Sequence, residues 1–186
     1  MKLFDIEPGQ DIDPARLYRP HRSEVQGEDA APGGNQHYQD LRAFRWPDVA
    51  NAIAVEAGLI ARIEAAAQPT QEEALIVEEL CRLEDLSPDQ ALYGLDIGVG
   101  SAVLTVSAAG ATPIASCNGG AFGHFHHGAN PFVAFYALPR RILPIMRWAR
   151  QAGLRLEINP DGVAVLHARH IADFLAFARS ALAEQQ

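Results

Sequence analysis

Lysine is almost absent from this chain: Lys2 is the only one, and arginine supplies the rest of 15 basic side chains, set against 23 acidic ones. The resulting formal charge of −8 excludes a generally basic surface, so non-specific binding of nucleic acid by the whole molecule is not expected. Cysteine is scarce too. Cys81 and Cys117 are too few for a disulfide scaffold, and both are expected to be reduced and unbonded to each other. No window approaches about 18 uninterrupted apolar residues, and the start "MKLFDIEPGQDID" lacks an apolar core, so neither membrane span nor signal peptide is expected. These absences together point to a cytoplasmic protein. No internal repeat is present. "LDIGVGSAV" places glycines before a helix but lacks G-x-G-x-x-G, which leaves no dinucleotide fingerprint, although helix-start amides there can receive an anion.

What is present is a globular composition, 48% hydrophobic and 20% charged, over 186 residues, enough for one domain with a substantial core. Charge is divided unevenly. Residues 1–93 carry 8 basic and 18 acidic side chains, whereas residues 94–186 carry 7 and 5. Residues 1–46 read as an irregular N-terminal segment with a short edge strand at Phe4 and Ile6 and a mobile loop over 19–39. Residues 47–186 read as a single α+β domain, with an acidic helical part at 47–93 and a sheet-containing part at 94–186.

Val49, Ile53, Ala57, Ile60 and Ile63 recur at helical spacing from Pro47–Asp48. "TQEE" at Thr70–Glu73 has the form of a capping box, opening a helix with Leu75, Ile76, Leu80 and Leu83 on one side; "SPDQ" at Ser87–Gln90 repeats the device. The second half gives α-β-β-α-β-β-α: a small-residue helix stopped by Gly110, strands "TPIASC" and "FVAFYA", and a helix from "PRRILPIMRWARQAG" in which Pro144 is a kink or the first turn. A hairpin over 154–168 and a closing helix complete the order. The fold class is therefore α+β, with N-terminal helices and a small, mainly antiparallel sheet. In the hairpin, Leu154, Leu156, Ile158, Val163 and Val165 are expected on the buried face.

The stretch that carries chemistry is "SCNGGAFGHFHHGANP", Ser116 to Pro131. Cys117 falls where a strand ends, and Gly119 and Gly120 free the backbone to turn or to approach a ligand. Three readings compete. In the first, Cys117 with His124, His126 and His127 binds zinc or another divalent transition metal, since zinc takes thiolate and imidazole ligands; Asp96, Glu157 or a water would complete the set. In the second, Cys117 is a catalytic nucleophile paired with His126 or with His124, His127 or His167, and Ser116 and the amides of Asn118, Gly119 and Gly120 receive an oxyanion or other ligand. In the third, the loop is a solvated turn and Cys117 a small hydrophobe. Arg140 and Arg141, with Arg147 and Arg150, form a basic stripe suited to an anionic ligand or to solvent. Trp46 and Trp148 are read as packing residues.

Ser116, Cys117 and Gly119, preceded by "AAGATPIA" and followed by "FVAFYA", resemble the core of the wybutosine-synthesis tRNA methyltransferases and their small bacterial relatives over about residues 95–168. Asn118 stands where that S-C-x-G motif has a second serine, and Gly120 where it has arginine. The resemblance implies a fold and a ligand-facing loop rather than methyl transfer. Two function classes follow. One is an enzyme or binding protein for a small molecule acting through the Cys117 loop. The other is an accessory, regulatory or immunity-type protein whose acidic helical half meets a basic protein partner.

Overall fold

The computed structural model describes residues 1–21, 24, 42, 44–83, 92–123 and 129–185. The expected helix at Ser87–Gln90 and nearly all of the loop expected over 19–39 lie outside the described residues. Among them the order is β1 (Gly9–Asp11), a 3-10 turn (Pro14–Arg16), α1 (Trp46–Ala65), α2 (Pro69–Leu83), α3 (Gly100–Ala108), β2 (Thr112–Cys117), β3 (Phe132–Tyr136), α4 (Pro139–Gln151), β4 (Arg155–Ile158), β5 (Ala164–His167) and α5 (Ile171–Ala183). The five strands form one mixed sheet in the order β1-β4-β5-β3-β2, antiparallel throughout except for the parallel β1–β4 pair. This is the α+β fold expected. The first strand is not where Phe4 and Ile6 suggested. Pro8 cannot donate to a ladder, pairing starts only at Gly9, and Phe4 instead buries its ring while its amide donates to the Arg169 carbonyl.

The helices cover one face of the sheet. Val133, Phe135, Leu156 and Leu166 project from the strands into the same core as Val103 and Val106 of α3, Ile142 and Ile145 of α4, and Phe174 and Phe177 of α5. α3 carries small and apolar residues on every side, and Gly100 to Ser107 are all buried, because the sheet lies beneath it and α1 and α5 flank it. A second cluster of Val49, Ala52 and Ile53 with Leu104, Leu175 and Ala178 ties α1 to α3 and α5. Trp148 packs edge-on against Trp46 and Phe177, which makes both tryptophans packing residues.

Two local readings are corrected. The hairpin connection is five residues, Asn159–Val163, closed by the Asn159 side chain accepting from the amides of Asp161 (3.0 Å) and Val163 (2.9 Å). Ile158 therefore pairs with Ala164, and Val165 pairs with Glu157, one residue out of the expected register. A one-residue slip inverts the faces: Leu156, Ile158, Ala164 and Leu166 meet the helices, while Val163 and Val165 belong to the opposite side with Ile114 and Ala134. In α4 the first turn begins at Pro139, and Pro144 lies within the helix.

α4 and α5 are joined at the surface by Arg147, whose Nε donates to Glu184 Oε1 at 2.9 Å. That bond holds the Glu184 carboxyl down at about 2. A depressed carboxyl stabilises the fold above its ordinary range and loses that contribution as the pH falls through the folded value. An NMR titration should place the Glu184 midpoint near 2 and return it toward 4.5 in Arg147→Ala.

Candidate functional site

Cys117 is the last residue of β2, and the chain then turns sharply through Gly119 (φ +64°) and Gly120 (φ +69°). The turn is pinched at its base. A Cβ on Gly119 would lie 2.7 Å from the backbone of Asn130 and Pro131, so the outgoing and returning strands of the loop touch there. Asn118, only 1% exposed, holds the turn in place. Its Nδ2 donates to Glu73 Oε1 and to the Ile97 carbonyl, both at 3.2 Å; its Oδ1 accepts from Gly120 N at 2.9 Å; its own amide donates to Asp96 Oδ2 at 3.1 Å. The Gly119 amide donates to Cys117 Sγ at 3.3 Å. The amides of Asn118, Gly119 and Gly120, expected to be available to an oxyanion, therefore donate to acceptors of the protein itself.

Further on, Phe122 offers its carbonyl to Thr70 Oγ1 at 2.8 Å, and Gly123 lies so close to Thr70 that a Cβ would come within 2.4 Å of the hydroxyl. The capping box read at Thr70–Glu73 is thus replaced by tertiary contacts. α2 starts at Pro69, with the Gln68 carbonyl accepting from Gln71 and Glu72; Thr70 is already inside the helix, and Glu73 is buried against Asn118. Leu75, read on one side of this helix with Ile76, Leu80 and Leu83, is 56% exposed, and only Glu73 and Ile76 of α2 are buried. Gly120 to Gly123 line a cavity of about 420 Å³ with Lys2, Glu64 and Thr70, but Cys117 does not.

A residue that sequence reasoning missed lies beneath this loop. Glu56 of α1 is fully buried, and its carboxylate receives the start of α3: Gly98 N (2.9 Å) and Gly100 N (2.8 Å) donate to Oε1, and Ser101 N (3.2 Å) and Ser101 Oγ to Oε2. Burial pushes this carboxyl above its ordinary range, and the donors from Ser101, Gly98 and Gly100 draw it part of the way back. The glycines of "LDIGVGS" thus hold an internal carboxylate at a helix N-terminus, where the sequence suggested an external anion.

On the other face of the sheet no described helix packs, although Ile114, Ala134 and Val163 are buried there and Tyr18 lies against Tyr136. There Cys117, Phe132, His167 and Arg155 occupy a single cross-strand row, each paired with the next. Ser116 pairs with Val133 and so faces the helices instead. Cys117 and His167 are separated by β3, which at two strand spacings is roughly 10 Å, too far for a direct Cys–His hydrogen bond. Beyond Phe132 the row opens into a cleft of about 520 Å³, lined by Asp5, Glu7, Asn130, Arg155, Glu157 and His167. Glu157 accepts from Arg155 Nε at 2.6 Å and lies 3.7 Å from His167 Nε2. Burial lowers the His167 imidazole below its ordinary range, partly offset by Glu157 and the Pro131 carbonyl. Glu157 and Asn130, the last residue but one of the quoted stretch, thus share one cleft.

His124, His126 and His127 lie outside the described residues. Among the described residues no group of three or more His, Cys, Asp or Glu side chains is placed to hold a metal ion. Neither Cys81 nor Cys117 is in a disulfide; the first is exposed and the second half-buried. Arg140 and Arg141 stand at the start of α4, beyond Tyr136, whereas Cys117 pairs with Phe132 at the other end of β3; the structure does not bring them together. Arg147 and Arg150 of the same stripe bond Glu184 and Gln10. No described helix is long and apolar enough to cross a membrane. No family model, curated protein or solved structure matches this chain.

Proposed function

We propose that this chain is a cytoplasmic small-molecule-binding protein, with Cys117 positioned for covalent chemistry on the sheet face away from the described helices. The observation that carries the reading is the cross-strand row Cys117–Phe132–His167–Arg155. A ligand lying across it would meet a thiol at one end, an aromatic floor in the middle and a polar cleft of ligand size at the other. The Gly119 amide orients the sulfur, and the buried Asn118 network fixes the turn that presents it. A role for the Cys117 loop facing a ligand is also what the resemblance to the wybutosine-synthesis enzymes implies, without their reaction. The accessory-protein reading draws less support, because Glu72 and Glu79 pair with Arg62, and Glu78 with Arg82, which neutralises much of the acidic face of α2.

The protein contains its own reference thiol for the test, since Cys81 is exposed on α2. Iodoacetamide labelling followed by peptide mass analysis should show Cys117 reacting at least as fast as Cys81, although it is half-buried. Cys117 labelling ten or more times slower than Cys81 would make it a packed hydrophobe and end the proposal. Intact mass analysis of the unlabelled protein under non-reducing conditions should show no loss of two hydrogens.

A further inference from the structure

The cleft beside Phe132 contains a constellation that the Cys117 reading leaves unused. Glu157 of β4 and His167 of β5 project from the same sheet face, with Nε2 and Oε1 3.7 Å apart, too long for a hydrogen bond between them. Glu157 is fixed from the other side by Arg155, and Arg155 feels Asp11 and Glu7 as well. Asp5 and Glu7 of the N-terminal segment also line the cleft. Against three carboxylates the cleft sets one guanidinium, already committed to Glu157, and an imidazole whose surroundings keep it neutral near pH 7.

Resting on the reading of this face as the ligand site, we infer that the cleft binds a small primary amine, and that its ammonium group donates between Glu157 Oε1 and His167 Nε2. An ammonium carries three donors and a charge, so one nitrogen satisfies both acceptors and offsets the surplus of carboxylates. A neutral imidazole presents a lone pair, so His167 accepts a hydrogen bond from the ammonium, which keeps its proton, while Glu157 supplies the opposite charge. The groups bearing on the imidazole are Glu157 and Arg155 from β4 and the Pro131 carbonyl before β3, with Asp5 and Glu7 facing the same cleft.

The probe is 1,4-diaminobutane, with 1,4-butanediol as its uncharged equivalent and inorganic phosphate as an anion, each added to the full chain while the His167 ring resonances are followed by NMR and assigned with His167→Gln. The diamine should shift His167 saturably, and the diol at least tenfold more weakly. Glu157→Gln, verified as folded by an unchanged urea midpoint, should weaken the diamine at least tenfold and lower the His167 midpoint further, because the carboxylate that raises it is gone. A saturable response to phosphate but not to the diamine, equal responses to diamine and diol, or no response to any probe would each overturn the inference. Fast Cys117 labelling retained in that event would leave the wider reading of the face standing; slow labelling with a normal amine response would overturn the thiol and keep the cleft.

Discussion

Glu56→Ala should unfold at markedly lower urea concentration than the wild type, with a loss of about 3–5 kcal/mol. The substitution removes the acceptor of three backbone amides and one hydroxyl at a site closed to water, and each buried donor left unsatisfied costs about 1–3 kcal/mol. Partial relaxation and entry of a water keep the sum below the full arithmetic. Glu56→Gln should cost less, about 1–2 kcal/mol, because Oε1 still accepts from Gly98 and Gly100 while the new amide group opposes the Ser101 N–H. The two variants also separate in pH. Burial raises the Glu56 carboxyl in the fold, so its contribution is fully present below the unfolded range near 4.3, and it declines as the pH rises through the folded value. The advantage of wild type over Glu56→Gln should therefore shrink with rising pH in parallel urea titrations. An advantage that grows instead would mean that the amides at the start of α3 outweigh burial and hold the carboxyl ionised.

Glu56 also marks the limit of what the sequence makes legible. It lies three residues after Ile53 and four before Ile60, squarely on the apolar stripe of α1, and a glutamate there with no partner in its own helix signals a tertiary acceptor. The signal was present; the partner, 42 to 45 residues away, was not, because only the packing of α1 across α3 brings Gly98, Gly100 and Ser101 to it. Element order and sheet character were readable from periodicity, since each helix stripe and each strand alternation is a local property. Faces in the hairpin were not, because they depend on whether the turn is counted as four residues or five, and the Asn159 side chain decides for five. Thr70 shows the same limit in another form. Its spacing to Glu73 is that of a cap, but the carbonyl of Phe122 and the side chain of Asn118 compete for the two groups and win. Within the candidate site, Cys117 and Glu157 were legible as residue types at strand positions. That His167 stands in the same cross-strand row as Cys117, one strand beyond Phe132, required the order β5-β3-β2, which no local pattern encodes.

Asn118→Asp, nominally the gentlest exchange available, should be more damaging than Asn118→Ala. The side chain is 1% exposed, and its amide nitrogen faces two acceptors, Glu73 Oε1 and the Ile97 carbonyl. Asparagine supplies both donors. Aspartate supplies none when ionised and places a second carboxylate against Glu73 in a buried site, where an uncompensated buried charge costs about 3–5 kcal/mol. Alanine removes the donors and leaves the Gly120 amide and the two acceptors unmet without adding charge, a loss of about 2–3 kcal/mol. Acid should relieve the aspartate variant selectively: proximity to Glu73 and burial raise its carboxyl, and protonation at low pH restores one donor. Because the same side chain fixes the turn after Cys117, both variants should also change the iodoacetamide labelling rate of Cys117 while leaving that of exposed Cys81 unchanged. Urea midpoints for the three proteins at two pH values, read beside the labelling ratio, decide the matter. Equal stabilities for asparagine and aspartate, with labelling unmoved, would mean that the turn is held by its glycines alone and that the buried network has no part in presenting the thiol.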